Sequence, residues 1–351
     1  MKLSVLVLCA ALILAAACGG AATPITETAA QPLVSLPADE APHDATIEWW
    51  YFNGLLTDDR GREYSYHYVT FQSAATRTAV PRLLQASLGD HTAGEHLTGE
   101  KVLLSALDES ATGIDVSVGG WSMNGNGGTY NLVFDLAEYS LDLNAVSTKP
   151  PVLHQGNGLV SLGPVGDTYY YTRPRLDLAG TMTINGEARP VTGVAWMDHQ
   201  WGDVEGRRVG WDWVSLQLDD ATDLMVVLVW DPSDRTPIAR YGTLILANGP
   251  ALILAQDDVS IMSHTTWTSP ATRVTYPSGW TVTSPSLDLN LVLEPVLLDS
   301  EFAGSRYTPA AYWEGEVRAT GTSQGRSVSG RGFVELVGYD PRQLGGAAAS
   351  P

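Results

Sequence analysis

The chain has almost no cysteine and few positive charges. Its two cysteines, Cys9 and Cys18, both sit near the N-terminus of 351 residues, so the rest of the chain has no thiol. That excludes disulfides, cysteine nucleophiles and thiolate-held metal from the folded body. Lysine and arginine total 20 against 39 acidic residues, a formal charge of −19, and no basic patch occurs. A phosphate backbone is therefore excluded as a partner, and with it nucleic acid. No segment sustains a helical period beyond about three turns. A Gly-x-Ser-x-Gly elbow is absent, and Ser329 between Val328 and Gly330 only superficially resembles one. Histidines and carboxylates show no local ligand spacing, so neither a metal nor a cofactor is expected.

What the chain does have begins with a leader. Met1-Lys2 is a short positive start, Leu3 to Ala17 is an apolar run too short to span a bilayer, and Ala15-Ala16-Ala17-Cys18 is a small-residue cleavage site. This resembles a bacterial lipoprotein signal, with residues 1–18 forming the signal peptide and Cys18 the lipidated residue. The expected location is the extracytoplasmic side of the cell envelope, with the membrane as a partner through that anchor. Residues 19–41, rich in Ala, Thr and Pro, read as a disordered tether. The tail, 341–351, reads the same way.

Between them the pattern is all-β. Gly (35) and Pro (20) punctuate short runs of alternating, β-branched and aromatic residues throughout the chain. Ile47 to Thr57, the turn Asp58-Asp59-Arg60-Gly61, then Arg62 to Gln72 read as a hairpin. In its second arm Tyr64, Tyr66 and Tyr68 take one face and His67, Val69 and Phe71 the other. Arg175 to Ile184, Asn185-Gly186 and Val191 to Met197 form another, and Leu244 to Leu246 with Ala251 to Leu254 a third. The chain also echoes itself: Val191-Thr192-Gly193 recurs in type as Val328-Ser329-Gly330, and Trp50-Tyr51-Phe52 as Trp211-Asp212-Trp213. Two β domains of similar design follow, 42–202 and 203–340.

Chemistry concentrates in Gly193-Val194-Ala195-Trp196-Met197-Asp198-His199-Gln200-Trp201-Gly202. Asp198 and His199 can orient or transfer a proton, and Trp196 and Trp201 supply flat apolar walls with affinity for positive charge. The plainer alternative is an acid–imidazole pair sealing a domain junction. Along Glu48-Trp49-Trp50-Tyr51, Glu48 and Trp50 face one way and Trp49 and Tyr51 the other, and one pair is expected to line a ligand cavity. His67 alternates with the tyrosines as a lining or core residue. Arg173 and Arg175 read as ion-pair partners, and His91, His96, His154 and His264 as surface loop residues.

His43…Ile47-Glu48-Trp49-Trp50-Tyr51-Phe52-Asn53-Gly54, Tyr169-Tyr170-Tyr171-Thr172-Arg173-Pro174, Trp196-Met197-Asp198-His199-Gln200-Trp201, Gly210-Trp211-Asp212-Trp213 and Tyr312-Trp313-Glu314-Gly315 resemble the AttH-like superfamily, which includes the carotenoid 1,2-hydratases (hydroxyneurosporene synthases). The likeness spans about 42–340. It implies two tandem lipocalin-like antiparallel β-barrels with a cavity near their junction. In the carotenoid hydratases it points to His199 and Trp201 as catalytic, and to an aspartate after the Trp-Asp-Trp segment, matched best by Asp231. With Asp198 these form the candidate catalytic set. Glu48, Trp49, Trp50, Tyr51, His67, Trp196, Trp211, Asp212, Trp213 and Trp230 are the candidate ligand-binding residues. Two functions follow. One is acid-assisted hydration or cyclisation of a C=C bond in an isoprenoid-type ligand, a hydro-lyase chemistry. The other is a non-catalytic lipoprotein that carries a hydrophobic ligand in the envelope.

Overall fold

Short apolar and aromatic runs cut by glycine and proline satisfy their backbone groups by pairing edge to edge. The computed structural model describes residues 31–73, 79–108, 110–204 and 209–343. There the chain is almost wholly strand. The first sheet comprises β1 (Ile47–Asp58), β2 (Glu63–Gln72), β3 (Val80–Asp90), β4 (Glu95–Ser105), β5 (Ile114–Val118), β6 (Trp121–Asn126), β7 (Thr129–Leu136), β8 (Tyr139–Ser147), β9 (Val152–Leu153), β10 (Leu159–Ser161), β11 (Asp167–Ile184) and β12 (Glu187–Gly202). The second comprises β13 (Gly210–Leu218), β14 (Asp223–Trp230), β15 (Pro237–Ile245), β16 (Ala251–Leu254), β17 (Ser260–Thr268), β18 (Thr275–Ser284), β19 (Leu289–Pro295), β20 (Glu301–Phe302), β21 (Tyr312–Ser323) and β22 (Arg326–Val337).

Both sheets are antiparallel and share one logic. Their orders are β4-β3-β2-β1-β12-β11-β8-β7-β6-β5 and β16-β15-β14-β13-β22-β21-β19-β18-β17, so in each the first strand pairs with the last. Each sheet curls around its own apolar core into a barrel or half-barrel. The β11–β12 hairpin turns on Asn185 and Gly186, both at positive φ (52° and 81°), as a tight two-residue turn requires. Pro174 interrupts β11, and the register with β12 shifts between Arg173 and Leu176.

Close approach dates the internal repeat more finely than sequence echo does. A side chain at Gly193 would meet Leu55 O at 1.8 Å, and one at Gly332 would meet Ser215 O at 1.8 Å. Gly193 pairs with Leu56 and Gly332 with Leu216, so these glycines occupy equivalent places. The echo had set Gly193 against Gly330, a slip of two residues that keeps the face. It had also set Trp50 against Trp211, but the equivalent of Trp211 is Tyr51. That slip of one reverses the face.

Alternation gives the central strands two buried faces. Trp50, Phe52, Tyr64, Tyr66, Tyr68, Ala195 and Met197 fill the first barrel. Tyr51, Val69, Tyr170 and Trp196 point outward and pack on Trp213, Val227, Val229, Tyr241 and Phe333 of the second sheet. Each such side chain contributes about 1.5–3 kcal/mol by leaving water. The barrels are thus joined by an apolar seam between the outer faces of their sheets.

Three expectations need correction. The C-terminal part of the supposed tether is packed: Leu33 N donates to Asn157 O, Val34 is buried, and Glu40 pairs with buried Arg173. Low complexity hid one apolar anchor and one charge partner. Residues 341–343 of the supposed disordered tail form a turn of 3-10 helix. Of the histidines expected in surface loops, His96 and His264 lie on β4 and β17, and His154 is fully buried at the seam, its Nδ1 3.0 Å from Thr243 Oγ1, because the flanking short strands dock on β11. The leader, Cys18 and residues 344–351 lie outside the described residues.

A buried ion triad clamps the seam at one end. Asp223 on β14 receives Lys149 Nζ at 2.6 Å and Arg175 Nη2 at 2.6 Å, both from the first sheet's side. Asp223→Ala strands two cations at a buried contact and is expected to cost about 3–5 kcal/mol. Urea unfolding measures it, and a loss under about 1 kcal/mol would show that the clamp is dispensable.

Candidate functional site

The cavity lies in the seam and encloses about 130 Å³. Strands β1 and β12 decide what reaches it, because neighbouring residues on a strand point to opposite faces. From β1, Trp49 and Tyr51 line the cavity, while Glu48 and Trp50 turn into the first barrel. From β12, Asp198 and Gln200 line it, with Trp196 behind Asp198, while His199 and Trp201 turn inward. The second sheet adds Trp211, Trp213, Val227, Val229, Tyr241, Tyr312, Glu314 and Glu335. Most of this wall is hydrocarbon.

Three carboxyls break that apolar surface. Asp198 accepts from Tyr170 Oη at 2.7 Å and Trp196 Nε1 at 2.8 Å, and burial raises its pKa to about 7 despite these donors. Glu335 accepts from Trp211 Nε1 at 2.9 Å, and burial, with the Asp198 charge, raises it to about 7. Glu314 pairs directly across the strands with Glu335. Burial and the neighbouring Glu335 charge hold Glu314 well above the usual carboxylate range. Tyr51 donates a short hydrogen bond to Glu314 Oε1, and His67 Nδ1, hydrogen-bonded to Ser87 Oγ at 2.8 Å, lies 3.2 Å from Oε2. Burial depresses His67 to about 3, so imidazole and carboxyl meet as neutral partners and not as an ion pair. His67 Nε2 in turn lies 3.2 Å from Tyr312 Oη. Glu316, two residues along the same face, is matched by Arg331 Nε at 2.7 Å. Glu314 has no such cation among the described residues.

A second polar centre closes one end of the first barrel. Glu48 Oε1 lies 2.7 Å from His43 Nδ1 and 2.8 Å from His199 Nε2, and Oε2 accepts from Gln72 Nε2 at 2.9 Å and from the His43 backbone. Burial alone would raise the Glu48 pKa, but the hydrogen bonds from His199 and His43 outweigh it and keep the carboxylate ionised. Burial lowers that of His199, leaving a neutral ring that donates its proton. Trp201 stacks on His43 at 4.0 Å and Trp50 on His199 at 4.5 Å. His43, Glu48 and His199 hold their ligand atoms within 4.8 Å of one another, the donor set a metal would use. Sequence spacing concealed this group because His199 lies far along the chain from His43 and Glu48. The mutual hydrogen bonds account for the convergence.

The structure therefore splits the candidate set. Asp198, Trp49, Tyr51, Trp211 and Trp213 meet in the cavity, with Trp196 and His67 supporting them. His199, Trp201, Glu48 and Trp50 belong to the barrel end, and His199 ties β12 to β1 through Glu48. Asp212 and Trp230 face the interior of the second barrel, where Tyr339 Oη donates to Asp212 at 2.7 Å. Asp231 does not reach the cavity. Its carboxylate accepts from Ser233 N and Oγ (2.9 and 2.6 Å) in the turn after β14, because the strand ends one residue before it. Sequence reasoning gave no role to Glu314 or Glu335. The signal for Glu314 was its place in the Tyr312-Trp313-Glu314-Gly315 phrase, whereas Glu335 lay in none of the family phrases.

A larger hollow of about 560 Å³ adjoins the cavity, and the two share Ile47, Phe71, Trp211, Tyr312 and Glu335 as walls.

Comparison with known proteins agrees with this architecture. A family model described as AttH-like matches residues 27–339. Kievitone hydratase of Fusarium solani subsp. phaseoli is 24% identical over 301 residues, covering 82% of this chain and 81% of that protein. The dehydratase asqC of Emericella nidulans is 27% identical over 206 residues, 56% of this chain and 58% of that one. Among solved structures, a putative AttH (NE1406) of Nitrosomonas europaea superposes with a TM-score of 0.78 at 29% identity, covering 90% of this chain and 99% of that one. Kievitone hydratase from Nectria haematococca gives 0.71 at 22% identity, covering 88% and 94%.

Raised carboxyls carry a stability signature. The folded protein keeps the Asp198 proton up to about pH 7, whereas the unfolded chain releases it near the ordinary 3.8. Stability from this group is complete at acid pH and is lost as pH rises towards 7, by about 4 kcal/mol. Carboxyls held low, such as Glu48, act only in more acid solution and leave this window clear. Buried histidines held low, such as His67, act in the opposite sense over this range, so Asp198 is read from a difference: the wild-type melting temperature is expected to drop relative to that of Asp198→Asn between pH 5 and pH 8. Parallel pH curves for the two proteins would refute the protonated state.

Proposed function

The chain belongs to the AttH-like family, and on that premise we propose that it adds water to, or removes water from, a carbon–carbon double bond of a small apolar, isoprenoid-type molecule bound in the seam. The observation that carries this reading is Glu314, a buried carboxyl with no cation partner among the described residues, on an apolar cavity wall and facing a second carboxyl. The hydratase and dehydratase relatives support the same class of reaction.

Protonating an isolated alkene needs a neutral acid held next to it, and desolvation supplies one at neutral pH. In the proposed step Glu314 gives its proton to one alkene carbon, and the π pair forms the new C–H bond. The adjacent carbon becomes cationic, facing the indole and phenol rings of Trp49, Trp211, Trp213 and Tyr241. Water attacks that carbon and loses a proton to Asp198 or Glu335, whichever is ionised. Their pKa near 7 suits a base at that pH. Proton return to Glu314 resets the site, and the reverse sequence is a dehydration. Tyr51 and His67 position the Glu314 carboxyl. The reacting end occupies the 130 Å³ cavity and the remainder the 560 Å³ hollow.

The leader supports a second element of the proposal, export and anchoring through lipidated Cys18. An anchored carrier of an apolar ligand shares that location, and the two readings part on turnover. Incubating the anchor-free protein with acyclic isoprenoids such as lycopene, and analysing extracts by mass, is expected to show addition of one water. Glu314→Gln is expected to lower the rate about a hundredfold or more, and Asp231→Asn to leave it unchanged. Stoichiometric recovery of unmodified ligand would decide for the carrier. In cells, Cys18→Ser is expected to abolish labelling by a fatty-acid analogue and to release the protein from membranes. Persistent labelling would remove the anchor.

A further inference from the structure

In so acidic a chain, buried arginines are expected to be paired. Of the three described arginines that are almost fully buried, Arg173 pairs with Glu40, and Arg189 with Glu187 at 2.7 Å. The third, Arg82 on β3, is 6% exposed and makes no ion pair with a carboxylate among the described residues. Its Nε donates to Gln72 Oε1 at 2.9 Å and its Nη1 to Ser105 Oγ, both neutral acceptors. Among the described residues no hydrogen bond occupies Nη2, which solvent still reaches. Glu48 and Asp108 lie farther off and act on it only through space. Arg82 lines the larger hollow, and no other lysine, arginine or histidine does so among its described walls.

A desolvated guanidinium with an unused N–H edge is costly when empty and strongly selective for an anionic oxygen. The hollow it lines adjoins the carboxyl-bearing cavity across shared walls. We infer that Arg82 is an anion-recognition subsite, and that the molecule taken by this protein is amphipathic, with an acidic oxygen group held at Arg82 and its apolar, unsaturated part in the seam cavity. This deepens the proposed function and rests on its reading of the cavity. The competing role for Arg82 is purely internal. Gln72 bridges it to the ionised Glu48, so Arg82 would serve only to balance that charge.

Two fluorescent probes of nearly one skeleton separate these roles: anionic anilinonaphthalene sulfonate and neutral N-phenylnaphthylamine. The wild-type protein is expected to bind the sulfonate about tenfold tighter than the amine. Arg82→Gln is expected to abolish that preference by weakening only the sulfonate, with amine affinity unchanged as the internal check on folding. Equal affinities in the wild type, or a preference that survives Arg82→Gln, would overturn the subsite. Loss of affinity for both probes alike in the variant, with a lower melting temperature, would assign Arg82 to balancing Glu48 and overturn it as well. Failure of the wild type to bind either probe would instead overturn the apolar cavity on which the proposed function stands.

Discussion

Desolvation of three carboxyls between two apolar sheet faces is the constraint on which the rest of the molecule depends. Glu314, Glu335 and Asp198 keep raised pKa values because tryptophan, tyrosine and valine exclude water and, among the described residues, no lysine or arginine is brought among them. Each costs stability at neutral pH relative to an apolar residue. The seam tolerates them because its remaining surface is so extensively buried, and because indole and phenol donors satisfy each acid. The same chain compensates comparable carboxylates elsewhere, Glu316 with Arg331 and Asp223 with Lys149 and Arg175. Isolation of the three is therefore local.

Strands β1 and β12 show how one pair of strands serves two polar centres. Each buries both faces, so neighbouring residues reach environments on opposite sides of the sheet. Towards the barrel, ionised Glu48 and neutral His199 form a hydrogen-bonded hub. Towards the seam, Tyr51 and Asp198 join a neutral, proton-holding group. One centre fixes the register of the strands and the other uses the geometry so fixed.

Much of the fold was readable along the chain. Hairpins were announced by Asn185-Gly186 and by the alternation of Tyr64, Tyr66 and Tyr68 with His67, Val69 and Phe71, since period-two patterning follows directly from strand geometry. The pairing of Trp49 with Tyr51 against Glu48 with Trp50 followed from the same rule. The site was less legible. Adjacency in Asp198-His199 suggested one cooperating pair, yet adjacency on a strand guarantees separation. Asp231 fitted a positional pattern but lies one residue beyond the end of its strand. Glu314 and Glu335 gave little local sign of importance, because a glutamate in a strand usually faces water.

What the sequence alone determined is the alternation: which side chains share a face, where the chain turns, and that two similar β units follow one another. Those properties depend on neighbours within a few residues. Only the tertiary structure decided which outward face became an interior, by laying the outer face of one sheet on that of the other. That single docking turned ordinary strand glutamates into buried acids and His67 into their neutral partner. It also left Arg82 facing a hollow that adjoins them, since charge state is set by surroundings drawn from distant parts of the chain.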